Sequence, residues 1–250
     1  MSTIIGIGST ILNNSSIGVS APYSASATSF DGTNDYMQIA AETGVDGKLG
    51  TLSFWIKFLA VNDGANQYLA SSASDKFYIF KNVAGAITIG AKTGPGALVL
   101  QLTTTPTYSS ADGWMHILSS WDLGNTTSHL YINDAAPALS TQTNTDNTID
   151  YSVPLKTICA ANSGSVKTGG CLSEYYSNEA EYIDVSVTEN RRKFINADLT
   201  PVSLGSDGST PTGSAPAIYL KDPSTSFETN YGTLANFVVT GALTACSDSP

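Results

Sequence analysis

Hydrolysis of a sugar needs two carboxylates held at a defined separation across the bond. The densest carboxylate run in the chain is Glu179-Ala180-Glu181-Tyr182-Ile183-Asp184. In an extended segment Glu179 and Glu181 point to one face and Asp184 to the other, so the run does not set an acid and a nucleophile side by side. Nucleophilic acyl transfer lacks its parts as well: there is no Gly-x-Ser-x-Gly elbow, and His116 and His129 are the only histidines. His116 shares a strand face with Trp114 and Leu118, the setting of a core or interface histidine rather than a general base. No glycine-rich loop follows a strand and opens a helix, so nucleotide binding has no support.

Binding chemistry is better represented. Sugars offer an apolar ring face and a fringe of hydroxyls, which proteins meet with an aromatic platform beside neutral or acidic hydrogen-bonding groups. Trp55 is the large aromatic on the otherwise polar face of its strand, and Tyr131 shares a face with His129 and Asn133. Trp55, His129 and Tyr131 are therefore the candidate carbohydrate-binding residues. The competing reading packs Trp55 and Tyr131 under a loop or a neighbouring subunit, because both residue types anchor protein interfaces.

Two sets of oxygen donors are candidate metal ligands. Asp31, Asn34 and Asp35 cluster in the turn after Phe30, and Asn144, Asp146, Thr148 and Asp150 fall on alternate residues of a later loop. Calcium takes about six or more oxygens, and neither set is complete or carries the Gly and bidentate Glu of an EF-hand. Asx turns are the alternative account of both. Arg191-Arg192-Lys193 contains both arginines of the chain. It is a candidate subunit contact, or an ion-pair partner of Asp184 or Glu189, against the ordinary fate of a solvated face. Cys159, Cys171 and Cys246 are odd in number and lack C-x-x-C spacing. Buried free thiols are the expectation, a Cys159–Cys171 bridge the alternative, and a zinc site is not indicated.

The elements that must position these groups are strands. In Thr51–Phe58 the side chains of Leu52, Phe54, Ile56 and Phe58 form one apolar face opposite Thr51, Ser53, Trp55 and Lys57, the pattern of a half-buried strand. Similar alternation marks 76–81, 86–90, 97–102, 114–121, 128–133, 181–187 and 217–221, with a last strand around Phe237-Val238-Val239. Asn62-Asp63-Gly64, Gly94-Pro95-Gly96, Asp112-Gly113 and Asn133-Asp134 supply turns between them. Many strands joined by such turns predict an antiparallel sandwich or barrel. Thr188 is a cap candidate ahead of a short helical turn over 189–196. Residues 1–28 read as an extended N-terminal arm, 29–190 as the β domain, and 191–250 as a C-terminal extension packing on the sandwich or on neighbouring subunits.

Composition narrows the classes further. The chain has 250 residues, 41% hydrophobic and 13% charged, with a net charge of −10, which is neither a disordered nor a coiled-coil composition. An acidic chain with only two arginines does not build a phosphate-neutralising surface, which excludes nucleic acid as a partner. Apolar runs such as Leu98-Val99-Leu100 are too short to span a bilayer, and the start lacks a basic n-region and an apolar h-region, so folding in a cytoplasm is expected.

Four motifs in order carry a resemblance. Phe30-Asp31-Gly32-Thr33-Asn34-Asp35-Tyr36, Leu52-Ser53-Phe54-Trp55-Ile56, Gly113-Trp114-Met115-His116-Ile117 with Trp121-Asp122, and Leu130-Tyr131-Ile132-Asn133 resemble the series in laminin-G-like, concanavalin A-like lectin/glucanase domains. The resemblance implies an all-β, antiparallel jelly-roll sandwich of two curved sheets, and it raises calcium as a cofactor because many members bind it. It also implies that a glucanase would carry Glu-x-Asp-x-x-Glu or a close variant on one strand, a spacing that Glu179, Glu181 and Asp184 do not reproduce. A second stretch, Leu172-Ser173-Glu174, Tyr182-Ile183-Asp184-Val185, Asn190-Arg191-Arg192-Lys193-Phe194-Ile195 and 204–213, is similar to the ending of laminin-G-like structural proteins of tailed bacteriophages. This implies a non-enzymatic virion protein, assembled in the host cytoplasm, most readily a capsid decoration or head-surface protein. Its expected partners are major capsid or tail proteins and further copies of itself. A tail or adsorption protein binding host glycans, and then a glycoside hydrolase, are the alternatives.

Overall fold

The computed structural model describes residues 23–39 and 44–250. In chain order its strands are Thr28–Asp31 (β1), Tyr36–Ile39 (β2), Leu49–Phe58 (β3), Gln67–Ser72 (β4), Phe77–Lys81 (β5), Ile87–Lys92 (β6), Leu98–Thr104 (β7), Met115–Asp122 (β8), Thr127–Ile132 (β9), Leu139–Asn144 (β10), Lys156–Ile158 (β11), Gly169–Asn178 (β12), Ile218–Leu220 (β13), Val238–Thr240 (β14) and Thr244–Ala245 (β15). They form two antiparallel sheets. One is seven-stranded, in the order β15-β1-β12-β3-β8-β9 with β13 also paired to β12; the other is eight-stranded, β10-β7-β6-β5-β4-β11-β2-β14. This is an all-β jelly-roll sandwich.

Alternation explains the main core. Leu52, Phe54, Ile56 and Phe58 of β3 face inward with Met115 and Ile117 of β8, and meet Ile79, Ile87, Ile89, Leu100 and Leu102 of the eight-stranded sheet; all are buried. At roughly 1.5–3 kcal/mol for each large side chain taken from water, this layer supplies most of the driving force.

The outer face of the seven-stranded sheet is also buried. Leu118, Tyr176 and Tyr219 on that face pack with Ile183, Val185, Phe194 and Leu204 as a second core. The segment that covers them is pinned at its start by one hydroxyl: Thr51 Oγ1 donates to the Glu181 carbonyl and accepts from the Ile183 amide, both at 3.0 Å. Residues 181–184 therefore cross the sheet unpaired and 185–187 turn back, the Val187 amide donating to the Asp184 carbonyl, so the expected strand does not form. Their alternation comes from Ile183 and Val185 pointing down into the second core. The alternation did not mark β1, β2, β4, β10, β11, β12 or β15; in β12, the longest of them, a register shift between Ser173 and Tyr176 inserts an extra residue at Glu174, whose φ is +50°. A bulge of this kind breaks the two-residue period.

The short helix spans Thr188–Arg191 (α1), with Val187 rather than Thr188 at its N-cap and no side-chain cap. Residues 191–250 add β13 to one sheet, β14 to the other, and β15 to the edge at β1. The expectation of three free thiols is corrected: Cys171 and Cys246 form a disulfide with Cα atoms 6.1 Å apart, and Cys159 alone is free and buried. Seventy-five residues separate the bridged pair, and only the return of β15 to β1 beside β12 brings them together. Of the arm placed at 1–28, residues 1–22 lie outside the described residues; from Tyr23 the chain is tied down by the Tyr23 hydroxyl on Glu174 and by Ser173 Oγ on the Ser26 carbonyl.

Candidate functional site

The covering segment does not close over the whole outer sheet. Between it and the start of β3 lies an open cleft of about 590 Å³, whose lining includes Asp122, Glu181, Tyr182, Asp184, Asn190 and Lys193. Tyr182 stacks beside His129 of β9, ring centres 6.4 Å apart and planes 26° from parallel. His129 Nε2 lies 3.5 Å from Asp184 Oδ1. Asp184 also accepts from the Ser186 amide and hydroxyl, and these bonds, the hydroxyl's foremost, hold its carboxyl below the usual carboxylate range. Burial, reinforced by Asp184, pushes the Tyr182 phenol up to about 12. The cleft thus presents a stacking surface, carboxyl and amide acceptors and an amine donor, which is a chemistry for holding polyhydroxylated ligands.

Acid–base catalysis wants a carboxyl that keeps its proton near neutrality. Among the described residues the carboxyls that burial raises are Glu174 and Glu179, and neither lines the cleft. Glu179 is paired to Lys156 at 2.6 Å, and its Oε2 has no partner among the described residues. Glu174 accepts from the Tyr23 and Tyr219 hydroxyls at 2.5 and 2.7 Å.

The sequence candidates are scattered by the fold. His129 borders the cleft, but Tyr131 lies under Arg191, whose Cζ is 4.3 Å from its ring centre. Trp55 is corrected outright as a sugar platform. It is 3% exposed and packs against His116, ring centres 4.8 Å apart, because its strand's polar face is the one buried by the C-terminal segment. His116 is buried with Nε2 2.8 Å from Ser53 Oγ, and burial drives its pKa down to about 3.

Neither oxygen set fits calcium. Asp31 Oδ1 accepts from the amides of Thr33, Asn34 and Asp35, and Asp35 from those of Asp31 and Ala242, so backbone donors occupy these carboxylates. Asp146 is paired to Lys48, Asp150 accepts from Ser152, and the Asn144 amide donates to Thr126 and Ser128. Among the described residues no three His, Cys, Asp or Glu side chains converge as a metal requires. No helix among them is long and apolar enough to cross a membrane.

Within the chain the basic run is paired to Asp134, not to Asp184 or Glu189. Arg191 Nε and Arg192 Nη2 grip the two oxygens of Asp134, at 2.5 and 2.6 Å. Arg191 Nη1 further donates to the carbonyls of Val185 and Ser186, and Lys193 Nζ to that of Pro211. Asp134 pKa is lowered by these two guanidinium groups. In the sequence Asp134 registered only as part of a turn. Tyr182 registered within the acidic run, the 181–187 alternation and the second resemblance, but not as a binding residue.

A family profile described as the concanavalin A-like lectin/glucanases superfamily, of laminin G type, matches residues 31–176. No curated protein matches the sequence. Among solved structures, a protein of Bacteroides ovatus whose carbohydrate binding is itself inferred aligns over 92% of this chain and 62% of its own, at 13% identity and TM-score 0.58. The heptameric SAP-like pentraxin of Limulus polyphemus aligns over 64% and 78%, at 14% identity and TM-score 0.48. Domains LG4-5 of the mouse laminin α1 chain align over 67% and 46%, at 13% and 0.43. With more than half of its length matched by the family profile and the same sandwich in its coordinates, the chain belongs to the concanavalin A-like lectin/glucanases superfamily.

Proposed function

We propose that the chain is a non-enzymatic, lectin-like structural protein of a tailed-bacteriophage virion, acting as a capsid decoration or head-surface protein. The observation that carries this reading is the course of the C-terminal segment. The stretch whose sequence is similar to the ending of phage structural proteins is folded back on the sandwich, where Asp134 clamps it through Arg191 and Arg192. A body sealed in this way presents surface, not a mobile active-site lid, and surface contact is how a decoration protein works. The absence of fibre repeats and heptads from the sequence favours the head over the tail. Its partners on this reading are the major capsid protein and further copies of itself. Assembly takes place in the host cytoplasm, and the Cys171–Cys246 bridge closes once particles leave that reducing compartment. Co-sedimentation of the purified chain with capsids of the phage that encodes it tests the proposal. Saturable binding to heads supports it; binding to tails alone, or to neither, overturns it.

The cleft favours a second reading, in which a tail or adsorption protein binds host glycans. Tyr182 and His129 would stack on the sugar while Glu181, Asp184 and Asn190 meet its hydroxyls. A glycan-array signal that disappears in Tyr182→Ala would favour it over decoration.

A further inference from the structure

Away from the cleft, we infer that Lys156 and Glu179 condense into an amide, a covalent cross-link between the two sheets that the folded chain forms by itself. The cross-link holds the body of the sandwich together and does not depend on what that body binds.

The fold aims the two side chains at each other. Lys156 opens β11, in the eight-stranded sheet, and Glu179 directly follows β12, in the seven-stranded one. Lys156 Nζ lies 2.6 Å from Glu179 Oε1, and its second hydrogen bond goes to the Tyr151 carbonyl at 3.4 Å. The lysine side chain is 7% exposed and the glutamate 11%. Backbone closes over the pair at Gly44, whose amide donates to the same Tyr151 carbonyl at 3.1 Å. A Cβ at Gly44 would stand 2.3 Å from Glu179 Oε2 and 2.8 Å from that carbonyl oxygen, so only glycine lets the chain pass this near.

The surroundings favour loss of both charges. The cavity beside the pair is lined by Ala70, Phe77, Ile158, Tyr175 and Ile218 with three serines and one threonine, and by no other charged residue. Glu179 Oε2 has no partner among the described residues. Desolvation can outweigh the Coulombic gain of such a buried ion pair, and burial raises the Glu179 pKa against the pull of Lys156.

The chemistry needs nothing that the pair does not hold. Transfer of one proton from the ammonium to the carboxylate leaves an amine and a carboxylic acid in contact. The amine lone pair adds to Cδ, forming the N–C bond. The Cδ–OH bond then breaks, and the hydroxyl takes a second proton from the nitrogen and departs as water. One ammonium and one carboxylate thus give one secondary amide and one water, with no oxidant, reductant or further reactant. The cavity, about 20 Å³, has room for that water. Free amines and carboxylates in water stay apart as ions, but groups held in reacting contact reach effective molarities of about 10⁵–10⁸ M. The resulting bond ties β11 to the end of β12, so the sandwich cannot open by parting its sheets there.

Mass spectrometry of the unaltered full chain, purified, reduced and denatured, tests the inference. A mass lower than that of the sequence by one water is expected in most molecules. After trypsin, 157–167 should remain joined to 93–156, because an acylated Lys156 is not cut, and this product should be linked to 168–191 through Glu179. Lys156→Arg keeps the charge without the amine nucleophile and should have its full sequence mass. Full mass in the unaltered chain with cleavage after Lys156 leaves an ion pair only and would overturn the cross-link. So would a water loss that persists in Lys156→Arg, or one that maps to an Asp-Gly pair such as Asp46-Gly47.

Discussion

The guanidinium of Arg191 lies over the ring of Tyr131, 4.3 Å from its centre, while its Nε reaches Asp134 at 2.5 Å. One side chain thus joins the helix at 188–191 to the outer face of β9 and to the turn that follows it, and it closes the C-terminal segment onto the sheet.

Removing that side chain leaves a nearly buried carboxylate with one partner fewer and uncovers Tyr131. Arg191→Ala should lower the unfolding free energy by about 2–4 kcal/mol, measured by urea denaturation. Arg191→Lys should recover only part of this, because an ammonium lacks the planar fork that reaches Asp134 and the Val185 and Ser186 carbonyls together. Equal stability of Arg191→Ala and the parent would remove the clamp from the account.

His116 sets a pH dependence. Its folded-state pKa of about 3 lies below the ordinary 6.5 because burial disfavours the imidazolium. The unfolded chain therefore binds a proton below pH 6.5 that the folded chain refuses. This contribution to stability is complete above pH 6.5 and is lost as pH falls from 6.5 toward 3, at up to about 1.4 kcal/mol per pH unit. Denaturation series across that window should show a shallower slope in His116→Gln than in the parent. Parallel slopes would mean that His116 protonates in the folded state.

Glu174 works in the opposite sense. Burial raises its pKa above 4.5, against the lowering effect of the Tyr23 and Tyr219 hydroxyls. The folded chain keeps this proton where the unfolded chain has released it, so its contribution is largest below about pH 4.5 and declines as pH rises through the folded-state pKa. The stability of Glu174→Gln relative to the parent should therefore increase between pH 4 and 7. A constant difference over that range would contradict the assignment.

The thiols can be counted directly. Alkylation of the denatured, unreduced protein should modify Cys159 alone, and prior reduction should expose all three cysteines to the reagent. Opening the 75-residue loop should cost about 4.5 kcal/mol on the chain-entropy account. Three reactive thiols without reduction would restore the free-cysteine expectation.

What was legible in the sequence follows from how local each cause is. Period two in Leu52, Phe54, Ile56 and Phe58 marked β3 because one face of that strand meets the core directly. The burial of Trp55 was not legible, since its face is polar by composition and the ring packed on it, His116, comes from β8, sixty-one residues away. Comparable separations hid the Cys171–Cys246 pairing and the choice of Asp134 by the arginines. In β12, the bulge at Glu174 interrupts the alternation that would have announced a strand.

On the proposed virion reading, cryo-electron microscopy of purified tailed-phage particles whose genome carries this sequence tests the central claim most directly. The jelly-roll body, with its C-terminal segment clamped over the outer sheet, is expected as repeated density at fixed positions on the capsid surface. Particles whose heads lack that density, with the chain absent from their protein content or confined to the tail, would contradict it.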